Sequence, residues 1–216
     1  METKFRDRNA HRCDRFMKKD ETTYEQMCAK IRPAVKGKQV LELAAGTGLI
    51  SRHIADSASF IEGTDTLPEM ITKAERAFPL KPSFFRAGRF FLPYEAGSFD
   101  VIILVNALHI LSTPEKALAE VRRVLKDDGV FIAPTFTHGE NTLPGKPRAF
   151  FMDLVGFPLH SRWSSKEYPC FLTENGWNVE KSAVLKASFS LTYDFSLLEK
   201  HPRSLIQRFG FLEVAM

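Results

Sequence analysis

The chain has 216 residues, of which 44% are hydrophobic and 26% charged, enough for one ordinary domain with a full core. Its formal net charge of +4 is uneven: residues 1–38 hold 11 Lys/Arg against 6 Asp/Glu, and the remainder holds 19 against 20. The basic excess therefore lies on an N-terminal extension, read as a solvated helix face in preference to a nucleic-acid or membrane surface. No apolar run reaches the roughly 18 residues of a membrane span, and the charged stretch Met1–Lys19 has no apolar core of a secretory signal. Cys13, Cys28 and Cys170 are far apart and form no C-x-x-C, so neither a disulfide framework nor a zinc site is expected, and a reducing, cytoplasmic setting is the reading.

In chain order, residues 1–20 are polar, with Phe5, Phe16 and Met17 as apolar anchors. Glu21–Ile31 reads as a helix because Tyr24, Met27, Cys28 and Ile31 fall on one stripe, and Pro33 and Gly37 are expected to break the chain after it. Residues 39–44 read as a strand, 49–57 as a helix and 59–64 as a second strand ending at Asp65. Pro68 suits the first turn of a helix over 69–78. A third strand covers 82–87, and the apolar run 99–105 reads as a central strand covered on both faces. Residues 114–125 form an amphipathic helix, Asp128-Gly129 a turn, and 130–134 a further strand. Beyond Thr135 a loop at 138–146, helices at 148–155 and 164–175, and strands at 177–185 and 187–193 are expected, with a tail from Phe195 that has no clear pattern. Strands and helices alternating with short connections favour a doubly wound parallel sheet.

In such a sheet ligands bind outside the carboxyl ends of the strands. Three positions qualify. The turn Ala44-Ala45-Gly46-Thr47-Gly48 is small enough for a ligand to approach backbone. Asp65, 17 residues after Gly48, can accept from both hydroxyls of a ribose. The end of the third strand, Gly88-Arg89-Phe90, can flank a base. No Gly-Lys-Ser/Thr follows the turn, which argues against a nucleoside triphosphate. The turn passes as G-x-G-x-x-S, but Glu42 before it suits an ammonium group and would repel a pyrophosphate. S-adenosylmethionine has a ribose, an adenine and an ammonium, and no phosphate.

At this point the residues resemble a family. Glu42-Leu43-Ala44-Ala45-Gly46-Thr47-Gly48 looks like the first motif of the class I S-adenosylmethionine-dependent methyltransferases. The resemblance continues through Gly63-Thr64-Asp65 with Pro68-Glu69-Met70, Leu92-Pro93-Tyr94, Ser98-Phe99-Asp100, Asn106-Ala107-Leu108-His109 and Glu120–Lys126. The nearest subgroup is the ubiquinone/menaquinone-biosynthesis type. The resemblance implies an α/β, mostly parallel seven-stranded Rossmann-like sheet with helices on both faces and an antiparallel last strand. Residues 1–37 would be a helical extension or lid, and 38–216 the methyltransferase domain.

By position it implies that Glu42, Ala44, Gly46, Thr47 and Gly48 hold the methionine part, Asp65 and Thr66 the ribose side, and Met70, Arg89 and Phe90 the adenine, with Asn106 near the methionine end and the transferring methyl. Arg89 stands where family members commonly have an acid, and it has no acceptor for the adenine amino group. His109 is the candidate general base, weighed against a packed structural histidine. Tyr24 and Trp163, with His109, are candidate acceptor-pocket residues, weighed against ordinary packing. No metal is expected. The partner is a small-molecule methyl acceptor; the acceptor's identity and the oligomeric state are not legible. A dinucleotide-dependent oxidoreductase and a non-catalytic methyltransferase-like protein are the alternatives.

Overall fold

The computed structural model describes residues 21–77, 82–88, 91–137, 160–186 and 192–200. The expectations for residues 1–20, Arg89, Phe90, the loop at 138–146 and the helix at 148–155 lie outside these. One sheet organises the rest. Helix α1 (Glu21–Val35) leads to β1 (Gln39–Leu43), α2 (Leu49–Ile54), β2 (Phe60–Asp65), α3 (Pro68–Ala77), β3 (Ser83–Arg86) and β4 (Phe99–Leu104). A 3₁₀ turn (Leu108–Ile110), α4 (Pro114–Val124), β5 (Leu125–Ile132), β6 (Thr135–Thr137), α5 (Glu167–Glu174), β7 (Trp177–Lys186) and β8 (Thr192–Lys200) follow.

The strand order is β3-β2-β1-β4-β5-β8-β6, with β7 also paired to β8. Strands β1 to β5 are parallel, and β8 runs antiparallel to β5, β6 and β7. Both β5 and β6 pair with β8, at Val130–Ile132 and Thr135–Thr137, so they are two segments of one line. The eight segments thus make a sheet seven strands wide, the mostly parallel Rossmann-like sheet expected, with its last strand β8 antiparallel.

Each face carries its own core. On one, Tyr24, Met27, Cys28, Ile31 and Val35 of α1 and Ile50 and Ile54 of α2 pack on Val40, Ile61, Val101 and Ile103. On the other, Ala117, Leu118, Val121 and Val124 of α4, with Tyr168, Leu172 and Trp177, pack on Leu41, Leu43, Ile102 and Leu104. Alternate residues of β1 and β4 feed opposite cores, which is why β4 is apolar without a break from Val101 to Leu104.

Several boundaries differ from expectation. Pro33 lies inside α1, which runs on to Val35; in the last turn its missing N–H affects only the carbonyl of Ala29, on an exposed stretch of the helix. Asp128-Gly129 is not a turn between elements but a bulge within β5. The register steps from Phe99 opposite Leu125 to Val101 opposite Val130. Gly129 is required there, because a Cβ would stand 2.7 Å from the Leu125 side chain and 3.0 Å from the Asp100 carbonyl oxygen. Helix α2 stops at Ile54, short of the expected 57.

Helix α5 starts at Glu167 rather than 164 because Ser164 caps it: its backbone N donates to Glu167 Oε2 at 2.8 Å, and its Oγ accepts from the Glu167 N at 3.2 Å. The final strand β8 runs to Lys200, through part of the tail that carried no clear pattern.

Candidate functional site

Because β1, β2 and β4 are adjacent and parallel, their carboxyl ends open on one edge of the sheet. The turn after β1 is built there. Ala44, Gly46 and Gly48 all have positive φ, at 53°, 57° and 77°. For the glycines this conformation is free of strain, whereas Ala44 is a non-glycine held in a sparsely populated region. The turn is pinned by Ala45 N donating to Thr64 O at 2.9 Å and Gly48 N donating to Ala45 O at 2.9 Å. A Cβ on Gly46 would meet nothing within 4 Å, so open space adjoins the turn at that residue.

Phe84 of β3 underlies the turn. A Cβ on Gly48 would lie 2.5 Å from its ring, and a Cβ on Gly63 also 2.5 Å. Both positions therefore exclude any side chain while Phe84 stays buried between them.

Two acids flank the turn. Asp65, 8% exposed, accepts from Gly46 N through Oδ2 at 3.0 Å and from Leu67 N through Oδ1 at 2.9 Å. Both oxygens thus accept backbone bonds that tie β2 to the turn and to the start of α3. Glu42 is buried with 3% exposure. Its Oε2 accepts from Ser51 N at 2.8 Å and, more closely, from Ser51 Oγ. Burial pushes the Glu42 carboxyl up to about 7; the Ser51 bonds oppose that rise and nearby Asp65 adds to it. The site thus holds one engaged carboxylate and one sealed acid poised near neutrality.

Asn106 follows β4, also with φ of 53°. Its backbone N donates to Pro134 O at 2.8 Å, and its Nδ2 donates to the Tyr24 hydroxyl of α1 at 3.0 Å. Tyr24 is buried at 3% exposure in the α1 core stripe, so it serves both packing and this contact. His109 is buried too, with Nδ1 2.9 Å from Thr135 Oγ1 and its ring edge-to-face on Phe136 at 5.8 Å. Its carbonyl accepts from the backbone N of His160 and Ser161.

Trp163 stacks on Phe171 at 4.5 Å and lies 5.3 Å from the Tyr168 ring, against the α4 core. The Tyr168 hydroxyl donates to Ala133 O at 2.6 Å, tying this aromatic cluster to the end of β5.

The structure brings Glu42, Ala44, Gly46, Thr47, Gly48, Asp65, Thr66 and Asn106 to one edge, where Met70, 7% exposed, opens α3 beside Leu67. Arg89 and Phe90 lie outside the described residues. Ser51 and Phe84 are additions that the sequence reading did not single out. Ser51 is the third position of G-x-G-x-x-S, where the missing glycine drew attention away from the hydroxyl; nothing in the sequence marks Phe84 as the ring beneath two glycines. Among the described residues no group of three or more His, Cys, Asp or Glu is placed to hold a metal ion, and no helix is long and apolar enough to cross a membrane.

Residues 41–133 match the family described as "Methyltransferase domain". Over 105 residues, 49% of the chain, the sequence is 34% identical to the demethylmenaquinone methyltransferase of Renibacterium salmoninarum. The chain spans 44% of that relative's length, less than half. In fold it is similar to a chain of the complex between the Haloferax volcanii Trm112 methyltransferase activator and the putative methyltransferase. The TM-score there is 0.73 at 21% identity, over 89% of this chain and 95% of that one. It is also similar to the Burkholderia thailandensis 1,6-didemethyltoxoflavin-N1-methyltransferase with bound 1,6-didemethyltoxoflavin and S-adenosylhomocysteine. That TM-score is 0.68 at 17% identity, over 88% and 83% of the two chains. At these identities the structural likenesses speak to the fold alone.

Proposed function

We propose that this chain, whose residues 41–133 match a methyltransferase domain, is a class I S-adenosylmethionine-dependent methyltransferase acting on a small-molecule acceptor. The observation that carries the reading is the pairing of the positive-φ small-residue turn with Asp65 at the end of the next strand, inside the matched segment. The donor set fits an adenosine ligand with a cationic end. Asp65 is a carboxylate of the kind that accepts from ribose hydroxyls, Gly46 borders open space, and Glu42 is an acid where a pyrophosphate would need a cation.

When bound, S-adenosylmethionine supplies a methyl group already activated on a sulfonium. The chain's own residues then position the reactants and keep out water. On this reading the turn backbone and Glu42 face the methionine part, Asp65 and Thr66 the ribose side, and Met70, Arg89 and Phe90 the adenine side. His109 is the candidate base for an acceptor that must lose a proton, with Nδ1 held at Thr135 and Nε2 as the working nitrogen. Trp163 is the candidate acceptor-pocket residue. The demethylmenaquinone name of a relative makes a quinol-type ring the first acceptor to test. The free thiols at Cys28 and Cys170 support a reducing, cytoplasmic setting.

The test is transfer of a labelled methyl group from S-adenosylmethionine to a panel of small aromatic and quinol acceptors. The expected result is labelled product with stoichiometric S-adenosylhomocysteine. Tight binding of the cofactor without turnover on any acceptor would favour the non-catalytic alternative.

A further inference from the structure

Asn106 carries an observation that the proposed function does not use. Its amide nitrogen is engaged with the Tyr24 hydroxyl at 3.0 Å and its backbone N with Pro134 O at 2.8 Å, so both main chain and side chain are pinned. Its Oδ1 is buried, and among the described residues no donor meets it. A buried amide oxygen left without a donor is costly, and such atoms in folded proteins call for a reason. Here the reason lies in its location. Register pairs Leu43 with Leu104, so the turn beginning at Ala44 and the residues after Leu104 leave the sheet side by side. Asn106 is thus a fixed acceptor at the same strand edge as Glu42 and the glycine turn.

We propose that Tyr24 is a positioning residue for the methionine end of the cofactor: it holds the Asn106 amide so that Oδ1 accepts from the ligand's ammonium. The proposal rests on the S-adenosylmethionine reading above. It moves Tyr24 from the acceptor pocket to the cofactor side and makes α1 a working part of the site. A pinned amide meets the ammonium without first giving up rotamer freedom, and the Tyr24 contact is what removes that freedom. The opposite amide orientation would turn Nδ2 toward the ligand and suit its carboxylate, so the two orientations make opposite demands on a substituted acid.

The experiment titrates S-adenosylhomocysteine and 5′-methylthioadenosine, which lacks the amino-acid part, into the full chain and into Tyr24→Phe and Asn106→Asp. Tyr24→Phe is expected to weaken S-adenosylhomocysteine about 10-fold and leave methylthioadenosine unchanged. Asn106→Asp is expected to hold or tighten S-adenosylhomocysteine, because an acid still accepts from an ammonium. Equal losses for both ligands in Tyr24→Phe, or no loss for either, would overturn the proposal, as would a selective loss of S-adenosylhomocysteine in Asn106→Asp. If the unaltered chain binds neither ligand, the cofactor reading itself fails and takes the proposal with it.

Discussion

The carboxylate of Asp65 accepts the amide proton of Gly46 at 3.0 Å, fastening the end of β2 to the turn that leaves β1. The bond aligns an acid and a backbone curve around one space, and an amide, with its single oxygen, keeps only one of the two backbone bonds that Asp65 accepts from Gly46 N and Leu67 N. Asp65→Asn should therefore lose about 1–3 kcal/mol of stability, one buried backbone N–H being left without its acceptor, and lose the charged acceptor for ribose hydroxyls as well. S-adenosylhomocysteine binding should weaken by about 10- to 100-fold in a calorimetric titration. Unchanged affinity would remove Asp65 from the ligand site.

Glu42 ties ligand binding to pH. Its folded pKa of about 7 stands above the ordinary 4.5, so the folded state retains a proton that the unfolded chain gives up. The stability due to this group is fully present below pH 4.5 and lost as pH rises to about 7. The loss is on the order of 3 kcal/mol by the linkage of pKa to stability. In thermal melts, Glu42→Gln should gain on the parent between pH 5 and pH 8, since Gln has no proton to lose. A cationic ligand end favours the ionised form, so S-adenosylhomocysteine binding at pH 7 should release a fraction of a proton. Calorimetry in two buffers of different ionisation enthalpy reads that release, and it should vanish in Glu42→Gln.

Phe84 and the two glycines above it form a steric unit. Gly63→Ala would drive a methyl to 2.5 Å from the Phe84 ring in a buried layer and should cost about 1–3 kcal/mol. Phe84→Leu alone leaves a void and also destabilises. Together they should be less harmful than the sum of the two, because the smaller side chain vacates the space that the new methyl needs. Additive losses in denaturant titrations would show that the contact does not limit either position.

The sheet was legible for a physical reason. Parallel strands buried on both faces give unbroken apolar runs such as 101–104, and acids and glycines punctuate their ends. The turn at 44–48 and Asp65 were legible because a ligand edge needs small residues and an acceptor at a set spacing.

The less legible features depend on contacts distant in sequence. Pro33 inside α1 is permitted by exposure of that helix turn. The bulge at Asp128-Gly129 is a matter of register with β4, which local turn chemistry does not report. Strand β8 is set by pairing with β5, β6 and β7, so its own residues carry little pattern. The Ser51 cap on Glu42 and the Tyr24 bond to Asn106, 82 residues apart, appear only once the strands are assembled.

His109 separates two roles. As the candidate base its loss should lower turnover of a protonated acceptor by about 100-fold, with S-adenosylhomocysteine affinity retained. His109→Gln preserves much of the side-chain volume beside Thr135 and Phe136. Loss of thermal stability with turnover per folded molecule retained would mark His109 as a packing residue.

The central claim is that the turn from Ala44 to Gly48, with Glu42 and Asp65, cradles S-adenosylmethionine rather than a dinucleotide. The measurement that bears on it most directly is calorimetric titration of the full chain with S-adenosylhomocysteine and, separately, with NAD. Saturable one-to-one binding of S-adenosylhomocysteine is expected, with no heat of binding for NAD. Saturable binding of NAD with none for S-adenosylhomocysteine would contradict it.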